Sequence, residues 1–156
     1  MSTIIYQTDN DHTTILIRIL VGSVFLFEGI QKYIYPFRGV ERFESIGLPF
    51  PEFTALFTGG FEIVCGLMIL AGFLTRVSVI PLIIIMLTAL FTTKLPILLG
   101  TEFWGFALRD LKHYGFLSMI HEARTDLAML ICSSFLFIKG GGYWSVDYQI
   151  RKKNNI

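Results

Sequence analysis

Charge is scarce in this chain, and cysteine scarcer still. Asp, Glu, Lys and Arg make up 16% of its 156 residues, against about 25% in ordinary soluble domains. Together with 53% hydrophobic residues and a mean hydropathy of +0.62, that deficit points to a membrane protein. Neither sign of charge dominates. The net charge is +1 and no basic run with interleaved aromatics occurs, which argues against a nucleic-acid partner. The two cysteines, Cys65 and Cys132, have neither C-x-x-C spacing nor a histidine at zinc-ligand distance, and they say nothing about redox compartment. His113 and His121 stand eight positions apart, without the spacing of a helical metal pair, so no metal site is expected. A basic segment before the first apolar run is missing too. Asp9 and Asp11 precede that run and no small-residue cleavage site follows it, so it does not read as a cleavable signal peptide. No haem, flavin or iron–sulfur motif is evident.

What the chain has is apolar length. A spanning helix needs about 20 mostly apolar residues, and four segments qualify as helices, at about residues 14–35, 53–74, 77–95 and 124–140. The expected fold is all-α: a polytopic four-transmembrane-helix bundle forming one membrane domain over residues 1–156. Two long connections lie on one side of the bundle, the loop side. Each is expected to hold an interfacial segment, at about residues 38–47 and 102–121. The first repeats Val40, Phe43 and Ile46 at helical spacing before Pro49 and Pro51. The second mixes aromatics with Arg109, Asp110, Lys112, His113, His121 and Glu122, a composition that suits the membrane interface. Tyr33, Trp104 and Tyr114 near one end, and Tyr143, Trp144 and Tyr148 near the other, resemble two aromatic belts.

The informative residues are charges inside the apolar runs, because ionisable groups at membrane depth are costly and usually have a partner or a use. Arg18, Glu28 and Lys32 lie in the first helix. Lys32 is one turn from Glu28, spaced to pair with it. Glu62 lies in the second helix with Gly59 and Gly66 on its face, where small residues let neighbouring helices approach. It therefore points into the bundle. The fourth helix enters from the loop side with Arg124 and Asp126 in its first turns, just after His121 and Glu122. These acids and bases are expected to converge in the loop-side half of the bundle. Arg18 and Arg76 belong to the terminal side, where Arg76 is expected to form a structural ion pair with Asp147.

The residues FLFEGIQKYIYPF, then GLPFPEFTALFTGGFEIVCGLMILAGFLTR, then GGGYWSVD resemble the DoxX family of small bacterial membrane proteins. The likeness runs from about Arg18 to Asp147. Its motifs are Glu28-Gly29-x-x-Lys32, the acid Glu62, the Gly72-x-x-Thr75-Arg76 turn, and Gly142-x-x-Ser145-x-Asp147. The long connection ending in HEARTD exceeds that of the shortest relatives. The resemblance implies a multi-pass protein of the bacterial cytoplasmic (inner) membrane. Relatives are linked to thiosulfate:quinone oxidoreduction, where such a membrane subunit works with a second subunit, and others to complexes handling thiol or oxidative stress.

Three functions compete. The first is a redox subunit passing electrons from a reduced sulfur compound or a partner protein to quinone. In it Glu28 and Glu62 would relay protons, and Lys32, Arg124, Asp126 and His121 would bind the quinone. The second is a non-catalytic scaffold or anchor, and the third a small proton-coupled transporter. The expected partners are the lipid bilayer, a redox subunit and a second copy of the chain. Lys and Arg divide almost evenly between the two sides, so orientation rests on the clustered Arg151, Lys152 and Lys153, which favour cytoplasmic termini.

Overall fold

The computed structural model describes residues 8–154. Residues 1–7 and 155–156 of the expected domain lie outside the described residues. The long helices are α1 (Thr14–Ile34), α3 (Pro51–Ala71), α4 (Thr75–Ala89) and α6 (Phe116–Lys139). The shorter ones are α2 (Val40–Ile46), α5 (Leu95–Leu99) and α7 (Val146–Asn154), and a π-helical turn, Leu90–Lys94, joins α4 to α5. Among the described residues there is no strand, only an isolated bridge between Phe103 and Phe106.

Helix ends follow from local chemistry. α1 stops because Tyr35 precedes Pro36 and is held extended, at φ −114°. α3 opens with Pro51 in its first turn, where the missing N–H costs nothing. It closes on Gly72 at φ +69°. There Phe73 N–H donates to Met68 O and Gly72 N–H to Ile69 O, the Schellman pattern.

Three segments are long and apolar enough to cross a membrane: Thr14–Ile34, Pro51–Ala71 and Thr75–Leu99. Each turns large apolar side chains outward, such as Phe27 on α1, Phe57 and Val64 on α3, and Ile84 on α4. Water would penalise so extensive an apolar exterior; lipid does not.

α1 and α3 pack antiparallel along a seam of glycines. A Cβ at Gly22 would lie 2.9 Å from Gly66 O, and one at Gly29 would lie 2.7 Å from Gly59 O. Each helix thus presents two glycines seven residues apart, and the backbones touch where they meet. Gly29→Ala should lower stability by about 1–3 kcal/mol, the usual cost of overpacking, because its neighbour is main chain and cannot rotate away. The midpoint of thermal unfolding in detergent checks this, with Ala128→Gly, exposed within α6, as a control for an ordinary helix position. On the far side of the core, Val21, Phe25 and Ile69 meet Leu82, Met129 and Leu136.

Two expectations need correcting. The third apolar helix does not end near residue 95; the π-helical turn carries it on to Leu99. Within that turn the hydroxyls of Thr92 and Thr93 donate to Thr88 O at 2.9 Å and Ala89 O at 2.6 Å. The last long helix begins at Phe116 rather than near 124. Its polar first turns looked incompatible with the span, but Glu122 and Asp126 bind cations from other elements, and the break falls at Gly115, φ +106°. The segment expected to be interfacial up to residue 121 is therefore irregular only to about 115.

The terminal side is tied together by the chain's two ends. Asp9 N–H donates to Lys139 O and Tyr143 N–H to Asp11 O. The end of α6 therefore lies beside the start of α1, and its beginning lies beside α5, where Gly115 N–H donates to Ile97 O. α6 accordingly runs the length of α4–α5, antiparallel to it.

Candidate functional site

The glycine seam sets the first feature. Lys32 lies two residues from the end of α1, within reach of the interface, yet its side chain does not extend outward. Its Nζ donates to Glu62 Oε2 at 2.6 Å. Gly59 stands beside it, where a Cβ would lie 2.9 Å from the Tyr33 ring and 3.4 Å from Lys32 Cβ. The Glu62 side chain is 2% exposed and that of Lys32 12%. Eleven steps along α3 from Pro51, at about 1.5 Å each, put Glu62 roughly 16 Å from the start of the helix. Glu28 is half-buried and forms no ion pair among the described residues. The expected Glu28–Lys32 pair is replaced because Glu62, the more deeply buried acid, has more to lose from standing alone.

A second ion pair joins the other side of the bundle. Lys94, from the π-helical turn, lies 3.2 Å from Asp126 of α6. Its side chain is 8% exposed. Nearby, Arg109 lies 2.8 Å from Glu122. Arg124 and His121 are exposed, and Arg124 donates only to His121 O on its own helix, at 2.5 Å. The single polar cluster expected from Glu28, Lys32, Glu62, Arg124, Asp126 and His121 is thus divided. Lys32 joins Glu62 between α1 and α3, and Asp126 joins Lys94 between α6 and the π-helical turn. No hydrogen bond links the two pairs among the described residues.

On the terminal side, Arg18 is 2% exposed and donates to four carbonyls: Ile69 O at 2.9 Å, Leu70 O at 2.6 Å, Gly141 O at 3.1 Å and Trp144 O at 2.7 Å. The first two belong to the last turn of α3, where helical donors run out, although Ile69 O also accepts from Gly72 N–H. Asp147 does the complementary job for α4, accepting from Leu74 N–H at 2.7 Å and Thr75 N–H at 2.9 Å. The expected Arg76–Asp147 ion pair does not form. Unpaired amides at a helix start hold a buried carboxylate well, and Arg76 instead donates to Ile138 O at 2.7 Å. At the outer rim, the ammonium of Lys139 and Asn10 N–H hold the Asp9 carboxyl below its ordinary range. Its stabilising effect is thus present at neutral pH and lost as pH falls through that lowered value. Asp9 is fully exposed, so the effect is small.

Among the described residues no group of three His, Cys, Asp or Glu side chains could hold a metal ion. The DoxX family model matches residues 13–95, the stretch from the start of α1 through the π-helical turn. The chain belongs to the DoxX family. It is 47% identical over 142 residues to the uncharacterized membrane protein Rv3486 of Mycobacterium tuberculosis (strain ATCC 25618 / H37Rv), covering 90% of this chain and 83% of that one. It is 29% identical over 124 residues to CatD of Bacillus subtilis (strain 168), whose name proposes an oxidoreductase, covering 80% and 87%. No solved structure matches it.

Within this DoxX protein, Lys32, Glu62, Arg18 and Lys94 all fall inside the matched stretch, whereas Asp126 and Asp147 lie beyond it. Sequence reasoning passed over Lys94. It was visible as the lone charge in the third apolar run, opposite an acid at the start of the last helix. The carbonyl cage around Arg18 left no such signal, because main-chain acceptors are the same at every residue.

Proposed function

We propose that this membrane protein is a subunit of a redox system that passes electrons from a reduced sulfur compound or a partner protein to quinone. The buried Lys32–Glu62 pair carries the reading. An acid only 2% exposed and a base 12% exposed, bonded at 2.6 Å, can hold a proton shielded from bulk water at the helix seam. CatD, whose name proposes an oxidoreductase, supports the same direction.

The residues around the pair fit a quinone. Lys32 has three ammonium donors and gives one to Glu62, and its side chain retains some exposure. On α3, Phe53, Phe57 and Phe61 form an exposed aromatic ladder with successive ring centroids 5.5 and 4.8 Å apart, an apolar surface facing the lipid from which quinone would arrive. Bound quinone would accept two electrons and two protons. Electrons reach it from the donor's own centre. Lys32 orients the head group, and Glu62, with Glu28 one turn away along α1, passes protons. Arg124, Asp126 and His121 stay outside this pair and act on the donor side.

In this reading α6 is a fourth span, lying beside α4–α5 for its whole length, with its polar first turns neutralised by Lys94 and Arg109. The bundle sits in the bacterial cytoplasmic membrane with both termini in the cytoplasm, next to the basic residues of α7.

Protein purified in mild detergent should carry quinone in its lipid extract. Glu62→Gln should slow quinone reduction by the cognate donor about a hundredfold, a typical share for a positioned acid or base. Quinone-free preparations, or an unchanged rate in the variant, would sink the proposal. A scaffold role is the alternative, favoured by Trp104 and Leu117, each 82% exposed on the loop side. It requires Glu62→Gln to leave recovery of partner proteins and cellular function intact.

A further inference from the structure

A cavity of about 320 Å³ opens on the loop side between α2, the π-helical turn and the irregular segment that follows α5. Its volume lies at the lower end of the range for small-molecule sites, about 300–1,000 Å³. Three cations line it, Arg42, Lys94 and Arg109, each from a different element, and no carboxylate does. Main-chain bonding braces it, with Ala107 N–H donating to Ile46 O at 2.9 Å.

The charge balance is specific. Lys94 and Arg109 each bind an acid of α6, Asp126 and Glu122, which stand behind the wall. Arg42 has no acidic partner among the described residues. Three cations against two acids leave one positive charge uncompensated at the cavity. Ser45 and Thr93 hydroxyls are already donated to Arg42 O and Ala89 O, so the free donors here are the charged ones. Guanidinium forks match the oxygens of an oxyanion bidentately. The rest of the lining is apolar, from Ile46, Ile97 and Leu108. A π-helical turn presenting a buried lysine to such a cavity is itself a feature found often at functional sites.

We propose that this cavity binds a phosphate-bearing group of net negative charge, with Ile46, Ile97 and Leu108 beside it for an apolar stem where the anion carries one. Arg42 and Arg109 clasp the oxygens from the rim, and Lys94 supplies charge from the base. The same chemistry reaches the site either as an anionic phospholipid or as free phosphate.

The test is native mass spectrometry of the full chain in neutral detergent, with defined additions of phosphatidylglycerol or phosphatidylcholine. The expected result is selective retention of phosphatidylglycerol. Its apparent affinity should fall about twenty-five-fold in Arg42→Gln/Arg109→Gln, taking about fivefold for each membrane-proximal cation. Both residues are exposed, and because Arg109 pairs with Glu122 the unfolding midpoint of the variant is compared with that of the wild type. The lysine pair Arg42→Lys/Arg109→Lys, which keeps the charge, should recover part of the affinity. Lys152→Gln/Lys153→Gln, at the opposite end, should change nothing. Displacement of the lipid by millimolar inorganic phosphate identifies free phosphate as a ligand of the cavity, and resistance to it identifies the lipid head group. Equal retention of the two lipids, or unaltered retention in Arg42→Gln/Arg109→Gln, would overturn the assignment.

Discussion

Glu62→Leu should destabilise the bundle by about 3–5 kcal/mol, and adding Lys32→Met should restore most of the loss. Removing the acid alone strands an ammonium beside the glycine seam, where the main chain of α1 and α3 is already in contact. Removing both partners leaves two apolar side chains of similar length in the same space, which packing tolerates well. The measurement is a double-mutant cycle on unfolding midpoints in one detergent. A double variant as unstable as Glu62→Leu would mean that the cost comes from lost packing rather than from the stranded charge. The cycle also separates structure from chemistry: if Lys32→Met/Glu62→Leu folds as well as the wild type but no longer reduces quinone, the pair is retained for its proton.

Arg18→Met should be of similar size, about 3–5 kcal/mol, with a midpoint lowered on the order of 10 °C. Methionine fills the volume but donates nothing, so four carbonyls lose their shared partner. Two of them close α3 and two shape the turn before α7. Arg18→Lys should fall between the two proteins, since an ammonium has three donors where the guanidinium fork has five. Limited proteolysis offers an independent check. Cleavage near Gly140–Gly142 should accelerate in Arg18→Met, because that turn loses two of its anchors. An unchanged cleavage rate with an unchanged midpoint would show that the carbonyls are satisfied without the arginine.

These expectations show where the sequence was informative. The apolar runs that became α1, α3 and α4 were readable because lipid demands a long uninterrupted stretch, and nothing else in a chain of this size does. Glu62 was readable as an inward group because glycines at positions 59 and 66 share its face. The partner of Lys32 was not, since spacing along one helix favours Glu28, and only the antiparallel register of α1 on α3 brings Glu62 closer. The start of α6 was misplaced for a related reason. Its charges looked like a boundary until Lys94 and Arg109 arrived from elsewhere to neutralise them. Asp147 was expected to pair with Arg76, but its partners are amides of the α3–α4 turn, and amides carry no sequence signature.

Both cations buried in α1 look to the same neighbour. Lys32 needs Glu62, and Arg18 needs the carbonyls of Ile69 and Leu70, all of them on α3. The first helix therefore cannot settle in the hydrocarbon by itself without carrying unmatched charge. The smallest piece of the chain that can leave the translocation machinery with most of its cost relieved is the α1–α3 hairpin, so biogenesis should proceed by release of a helix pair rather than helix by helix.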